Sequence, residues 1–162
     1  MARRLTLLFA VLLALVGNAP AETLSGRVVR VIDGDTLVLL VSGNVQERIR
    51  LTGIDCPERG QAFGTKAKDA LSERVAGKTV SIEWNKRDRY KRIVGKVLDG
   101  EGDANIALVR TGMCWWYRKY VGEQTPADRV LYEDAEEKAR REKAGLWRDP
   151  HPIPPWEWRK RR

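Results

Sequence analysis

Three short extended segments follow one another between residues 24 and 51, joined by turns too tight to hold a helical crossover. Leu24 to Ile32 reads as a first strand, Thr36 to Val41 as a second and Val45 to Leu51 as a third, so the chain begins as an antiparallel meander. Asp33-Gly34-Asp35 makes the first turn, where Gly supplies the unusual backbone angles and Asp tolerates them. Ser42-Gly43-Asn44 makes the second. The third segment alternates, with Val45, Glu47, Ile49 and Leu51 on one face and Gln46, Arg48 and Arg50 on the other. The second is apolar on both faces, which predicts a central strand.

The period then changes. Phe63, Ala67, Ala70, Leu71 and Val75 form one apolar stripe on a helix predicted over 62–76, which Gly77 stops. Thr79 to Trp84 and Lys91 to Asp99 return to strand. A short helix follows over 104–111, capped by Asp103 and ended by Gly112. A last helix is capped by Thr125, opened by Pro126 and runs to about Lys143. Leu131, Ala135 and Ala139 are its expected apolar stripe, and Glu133, Glu136, Glu137, Lys138, Arg140 and Arg141 its solvated face. Leu146-Trp147, after Gly145, should dock on the barrel. Three strands, a helix and two strands suit a small five-stranded barrel of the oligonucleotide/oligosaccharide-binding type. The expected fold class is therefore α+β, mainly β, with three helices.

The two ends differ from this middle. Arg3 and Arg4, the apolar run of residues 5–16 and Ala19-Pro20-Ala21 have the layout of a signal peptide over 1–21. The run is too short for a membrane span, and no second one is long enough. The mature form is thus expected to be exported, periplasmic or secreted, with cleavage near Ala21. The barrel domain is expected over 22–148. Residues 149–162 are rich in proline and end in four basic residues, which predicts an extended, solvated tail. That basic end is also the part that could hold an anionic polymer. The net charge of +8 stays positive once Arg3 and Arg4 are gone, as a polyanionic partner requires. His151 is the single histidine and has no partner motif, and there is no zinc spacing and no internal repeat. Nothing signals an oligomer, so a monomer is the default.

The chemistry gathers at the strand ends. Asp35 and Asp55 are hard oxygen donors for a divalent cation, with the Cys56 backbone carbonyl as a third donor. Asp33 is expected to shape the turn. Glu58 can take a proton or position a water, and Pro57 stiffens the loop that carries it. Arg50 can fork onto two phosphate oxygens. Metal, base and guanidinium around one point suit attack on a phosphodiester. Barrels of this type also bind single-stranded nucleic acid without cutting it, and that is the rival reading. A pure binder has no use for the acids, which repel phosphate. Trp115 and Trp116, near Arg118, are open to two uses: stacking on bases or packing.

Ile32-Asp-Gly-Asp-Thr36, Arg50-Leu-Thr-Gly-Ile-Asp-Cys-Pro-Glu58, Asp88-Arg-Tyr-Lys-Arg92, Asn105-Ile-Ala-Leu-Val-Arg-Thr-Gly112 and Gly145-Leu-Trp147 occur in this order. Together they make residues 24–147 resemble the staphylococcal nuclease (thermonuclease) family. The resemblance implies the same barrel, a calcium ion as cofactor, DNA or RNA as substrate, and cleavage that leaves the phosphate on the 3′ end. It implies Glu58 as general base and Arg50 and Arg92 as the catalytic arginines. It implies substrate contacts by Arg89, Tyr90 and Tyr120, and a loop-tying role for Asn105. Lys91 departs from the pattern, standing where the family usually has glycine before the arginine. In the family fold the segments carrying Cys56 and Cys114 run side by side, so those two residues could form a disulfide or remain buried thiols.

Overall fold

The alternation read over the third segment becomes β3 (Gln46–Leu51), in which Ile49 and Leu51 are buried and Arg50 lies half-buried on the other face. The structure, a computed structural model, describes residues 22–161. The proposed leader and its cleavage site lie outside the described residues. β1 (Glu22–Asp33) pairs antiparallel with β2 (Thr36–Leu40), and β2 with β3. β2 lies between the other two and is buried from Thr36 to Leu39, as its two-faced apolar pattern requires. After β4 (Ile54–Asp55) and α1 (Gly64–Val75), β5 (Thr79–Arg87) pairs with β1, and β6 (Ile93–Asp99) pairs with β5.

Parallel pairing of β3 with β6, through Ile49 with Ile93 and Leu51 with Gly95, closes β1, β2, β3, β5 and β6 into a barrel. Its interior holds Leu37, Leu39, Ile49, Ile82 and Val97, none with measurable exposure. The α+β barrel class expected from the sequence is the fold observed. β6 starts two residues later than the pattern suggested. Lys91 has φ +62°, a left-handed turn conformation that cannot continue a strand.

Two further helices cover one side of the barrel. After the short β7 (Gly102–Asp103), Asp103 caps α2 (Ala104–Arg110) by accepting hydrogen bonds from the backbone N–H groups of Asn105 and Ile106. Thr125 caps α3 (Pro126–Arg141) in the same way, through Asp128 N–H at 3.0 Å. Asn105 is fully buried. Its Oδ1 accepts from Val97 N–H, and its Nδ2 donates to the Thr52 and Gly95 carbonyls, so it ties β6 to the loop after β3.

The buried stripe of α3 is Tyr132, Ala135, Glu136 and Ala139, at i, i+3, i+4 and i+7. Leu131, expected inside, is exposed, and Glu136, expected in solvent, is fully buried. Its carboxylate accepts from Trp116 N–H at 3.1 Å and from Arg118 at 2.7 Å and Arg140 at 3.3 Å, which supplies the partners a buried charge needs. Between α2 and α3, β8 (Trp115–Trp116) pairs with β4, Ile54 opposite Trp116 and Asp55 opposite Trp115. Both tryptophans are buried, which settles them as packing residues. Leu146 and Trp147 are buried, but in a separate cluster with Trp115 and Ala139, against β8 and α3 rather than on the barrel as expected.

The same short ladder brings Cys56 and Cys114 together as a disulfide. Residues 149–161 do not form the extended tail expected from the sequence. Pro154 and Pro155 open a short helix, α4 (Pro155–Trp158), and a further turn, Arg159–Arg161, follows it. Pro155 is buried, and the Ile153 carbonyl accepts from Gln61 Nε2 at 2.7 Å. The proline run thus sets a helix start, with Pro at its first position, and folds back onto the barrel.

Candidate active site

The open end of the barrel carries a cavity of about 640 Å³, and the residues singled out in the sequence line it together. Arg50, at the end of the β2–β3 register opposite Thr36, points its guanidinium into the space between the β1–β2 turn and β4. Nη1 donates to the carbonyls of Leu51 (2.6 Å) and Ile54 (3.0 Å), and Nη2 lies 3.1 Å from Asp55 Oδ1 and 3.2 Å from Asp35 Oδ2. Four acceptors therefore fix one guanidinium, and that guanidinium brings the two carboxylates to a common point.

The carboxylates are held as firmly. Asp35 is 7% exposed and Asp55 2%. Asp35 Oδ2 accepts from Cys56 N–H at 2.9 Å, which seats the 55–56 peptide against the turn. Asp35 Oδ1 accepts from the Thr36 hydroxyl at 3.2 Å. Asp33 Oδ1 accepts from Asp35 N–H at 3.1 Å, so Asp33 shapes the turn as expected. Burial, and then the charge of Asp35, push the Asp33 carboxyl up to about 6. Burial raises Asp55 as well, against the hydrogen bond from Arg159, and the neighbouring Asp35 charge adds to the rise. The Asp35 charge thus works against ionisation of both neighbouring acids, a repulsion that a cation relieves.

Asp35, Asp55 and the Cys56 carbonyl are all oxygen donors, and hard oxygen ligands fit calcium or magnesium. Among the described residues no cluster of three or more His, Cys, Asp or Glu side chains could hold a metal by itself. An ion here would depend on backbone oxygen and water to fill its shell, and it would bind weakly.

Glu58 stands at the cavity edge on a loop that closes on itself. Its N–H donates to Gln61 Oε1 at 3.0 Å and its carbonyl accepts from Gln61 N–H at 2.9 Å. Gly64 at the start of α1 lies directly against the Glu58 carbonyl, where any Cβ would collide with that oxygen.

Arg92 lies on the loop between β5 and β6, and its Nη1 donates to Thr36 Oγ1 at 3.5 Å, next to Asp35. Asp88 Oδ2 accepts from its Nε and pairs with its Nη2, both at 2.8 Å, while Asp88 Oδ1 accepts the Tyr90 and Arg92 N–H groups. Burial alone would raise the Asp88 carboxyl, but its bonds to Arg92 outweigh that and hold it below the usual range. The Lys91 turn is closed by Lys91 N–H on the Asp88 carbonyl and Asp88 N–H on the Arg92 carbonyl. Asp88 is thus the residue that aims Arg92. Its signal in the sequence is an aspartate four positions before the arginine in a turn, where its side chain can cap the backbone two residues on. Arg89, Tyr90 and Tyr120 line the same wall. The two tyrosines are 59% and 45% exposed, with the Tyr90 hydroxyl accepting from Arg89 Nη2 at 2.7 Å.

One lining residue was not anticipated at all. Arg159, just past α4, reaches Asp55 Oδ2 at 2.7 Å through Nη2, and Glu58 Oε1 at 2.6 Å and Asp55 Oδ1 at 3.3 Å through Nη1. The sequence clue is the Pro-Pro-Trp-Glu-Trp run that starts a helix just before it.

Known proteins resemble this chain over most of its length. Residues 48–149 match the family described as staphylococcal nuclease homologue. An uncharacterized endonuclease of Escherichia coli is 44% identical over 138 residues, covering 85% of this chain and 86% of the relative. A micrococcal nuclease of Shigella flexneri is 39% identical over 161 residues (93% and 90%), and an uncharacterized endonuclease of Haemophilus influenzae 38% over 156 residues (96% and 82%). The matched span holds Arg50, Asp55, Glu58, Arg92 and both cysteines, on the barrel that their positions predicted. The chain belongs to the staphylococcal nuclease family.

Proposed function

We propose that this protein is an exported, calcium-dependent nuclease that hydrolyses DNA or RNA and leaves 3′-phosphate ends. The observation that carries the reading is the single guanidinium of Arg50 meeting two buried carboxylates, with Glu58 and Arg92 lining the same cavity. Asp35, Asp55 and the Cys56 carbonyl would hold the ion, whose positive charge would offset that of the phosphate. Glu58 takes the proton of the attacking water, a role worth about 10²–10⁴ in rate. Arg50 and Arg92 donate hydrogen bonds to the oxygens on which charge grows, and one such preorganised donor is worth about 3–4 kcal/mol. Arg89, Tyr90 and Tyr120 bind the flanking nucleotide through phosphate contact and stacking. Export is consistent with the disulfide, which suits an oxidising compartment. No helix among the described residues is long and apolar enough to cross a membrane.

The rival reading, a barrel that binds single strands without cutting them, draws support from Arg159, which neutralises Asp55 and Glu58. A nuclease assay at fixed salt separates the two. It uses single-stranded DNA with calcium, magnesium or chelator, and compares Glu58→Gln with the parent. Calcium-dependent cleavage that the substitution removes is the expected result. Tight binding without cleavage under every metal would give the case to the rival.

A further inference from the structure

We propose that the C-terminal segment is an internal competitor of the metal: Arg159 and a divalent cation exclude one another at Asp55. This rests on the assignment of Asp35 and Asp55 as metal ligands.

The oxygens of Asp55 are already engaged. Oδ2 receives Arg159 Nη2 at 2.7 Å, while Oδ1 lies 3.1 Å from Arg50 and 3.3 Å from Arg159 Nη1. An ionised carboxylate offers about four lone-pair sites, and three are directed at guanidinium N–H groups here. A dication on the remaining one would sit against the Arg159 charge in a site where Asp55 is 2% exposed and solvent screening is weak. The same Arg159 nitrogen that reaches Asp55 Oδ1 lies 2.6 Å from Glu58 Oε1, so the contact occupies the proposed base as well as the metal ligand.

Arg159 is delivered by anchors that do not depend on its charge. Trp156 stacks on Tyr117 with centroids 5.4 Å apart and meets Trp115 edge-on at 5.5 Å. Pro155 is buried, and Gln61 holds the Ile153 carbonyl. The anchored helix keeps the guanidinium at the site, while the Arg159 side chain is 43% exposed and has solvent to move into. Release therefore requires a rotation of one side chain and leaves the segment docked. While in place, the guanidinium balances acids that would otherwise repel one another and the phosphate. Calcium must displace it, so the apparent calcium affinity is the intrinsic one reduced by the fraction of molecules in which Arg159 has let go.

Calorimetric calcium titration of the full chain, without substrate and at constant ionic strength, tests this. Arg159→Gln should bind calcium about tenfold more tightly than the parent. Arg159→Lys, which keeps the charge and loses the fork, should show a smaller gain. Lys160→Gln removes the same charge from the same turn, where among the described residues Lys160 pairs with Glu157 of its own segment, and should shift nothing. In the parent, calcium should also move the Arg159 side-chain NMR signal. Equal shifts in Arg159→Gln and Lys160→Gln would mean a general charge effect and would overturn the competition, as would an unchanged or weaker affinity in Arg159→Gln. Asp55→Asn gives the separate control. If it leaves calcium binding intact, the metal assignment itself is wrong. If it abolishes binding while Arg159→Gln changes nothing, only the competition fails.

Discussion

On one wall of the cavity Asp35 and Asp55 are almost wholly buried, Arg50 is gripped by four acceptors, and a disulfide fastens Cys56, the residue after Asp55, to Cys114, just before β8. On the wall built from the β5–β6 loop and Tyr120, Tyr90 and Tyr120 are exposed, and Arg92 is held by one carboxylate, Asp88, with a longer contact of 3.5 Å to the Thr36 hydroxyl. The first wall is stiff because each polar group has its partners already in place, which is what a centre that must not reorganise during a reaction needs. The second is adjustable, which suits a surface that meets many different nucleotides by stacking and charge. Substitutions on the first wall should therefore damage turnover and folding together, and those on the second should affect turnover or binding with little cost to the fold.

The largest effect is expected at Arg50. Arg50→Ala removes a charge donor worth about 3–4 kcal/mol, and kcat should fall by about 10²–10³. It also leaves Asp35 and Asp55 without their shared cation, so thermal stability should drop by roughly 3–5 kcal/mol, the cost of breaking a buried pair. Arg50→Lys should recover little, because an ammonium cannot reach two carbonyls and two carboxylates at once. Turnover and melting temperature measured on the same preparations would check both halves. A fully stable Arg50→Ala would mean that the first wall is not stiff in the sense described.

Next is the bridge. Replacing Cys56 and Cys114 together by alanine opens a loop whose ends are 58 positions apart. The expected loss is about 2–4 kcal/mol, read from denaturant unfolding. The Cys56 carbonyl survives this change, and so do the β4–β8 ladder and the Arg50 contacts. Turnover at a temperature where the variant is folded should therefore fall by less than for Arg50→Ala. A loss as large would mean that the bridge positions the ligands as well as closing the loop.

How much of this could be read in the sequence follows the same division. The meander, the central β2 and the acids at the strand ends were legible because alternation and turn chemistry are local, and one face of β3 must be buried. Asp103 and Thr125 were legible as caps for the same reason. Glu136 was not, since its burial depends on Arg118 and on the backbone of Trp116, far away in the chain. Leu131 and Tyr132 both fit a helical stripe, and only the packed surface decides between them. Arg159 was missed because proline shows where a helix starts and says nothing of what that helix will rest on.

On the second wall Asp88 is the residue to test. Asp88→Ala should leave the melting temperature nearly unchanged and lower kcat by about tenfold to a hundredfold, since a misplaced catalytic group costs up to about 10². Its carboxyl is held below the ordinary value, so the pair with Arg92 contributes stability that is present above the unfolded pKa of 3.8 and is lost only as pH falls below it. The aim of Arg92 should therefore not vary with pH across the neutral range. A fall in activity between pH 8 and 6 that Asp88→Ala removes would contradict this.

The smallest effect concerns Lys91, and it separates backbone from side chain. A left-handed conformation costs a residue other than glycine roughly 1–2 kcal/mol, and Lys91 sits there at φ +62°. Glycine would relieve that cost but lose more freedom on folding, which takes back about 0.5–1 kcal/mol. Lys91→Gly should thus gain between zero and about 1.5 kcal/mol, a rise in melting temperature of at most a few degrees. Turnover should stay the same, because the turn is already closed by the backbone bonds between Asp88, Lys91 and Arg92, and the guanidinium is directed by Asp88, with Thr36 Oγ1 at 3.5 Å, and not by the Lys91 side chain. If kcat instead rose tenfold or more, lysine at this position would be holding Arg92 off its target. The second wall would then owe its aim to the backbone of the loop, as the first does, rather than to one carboxylate.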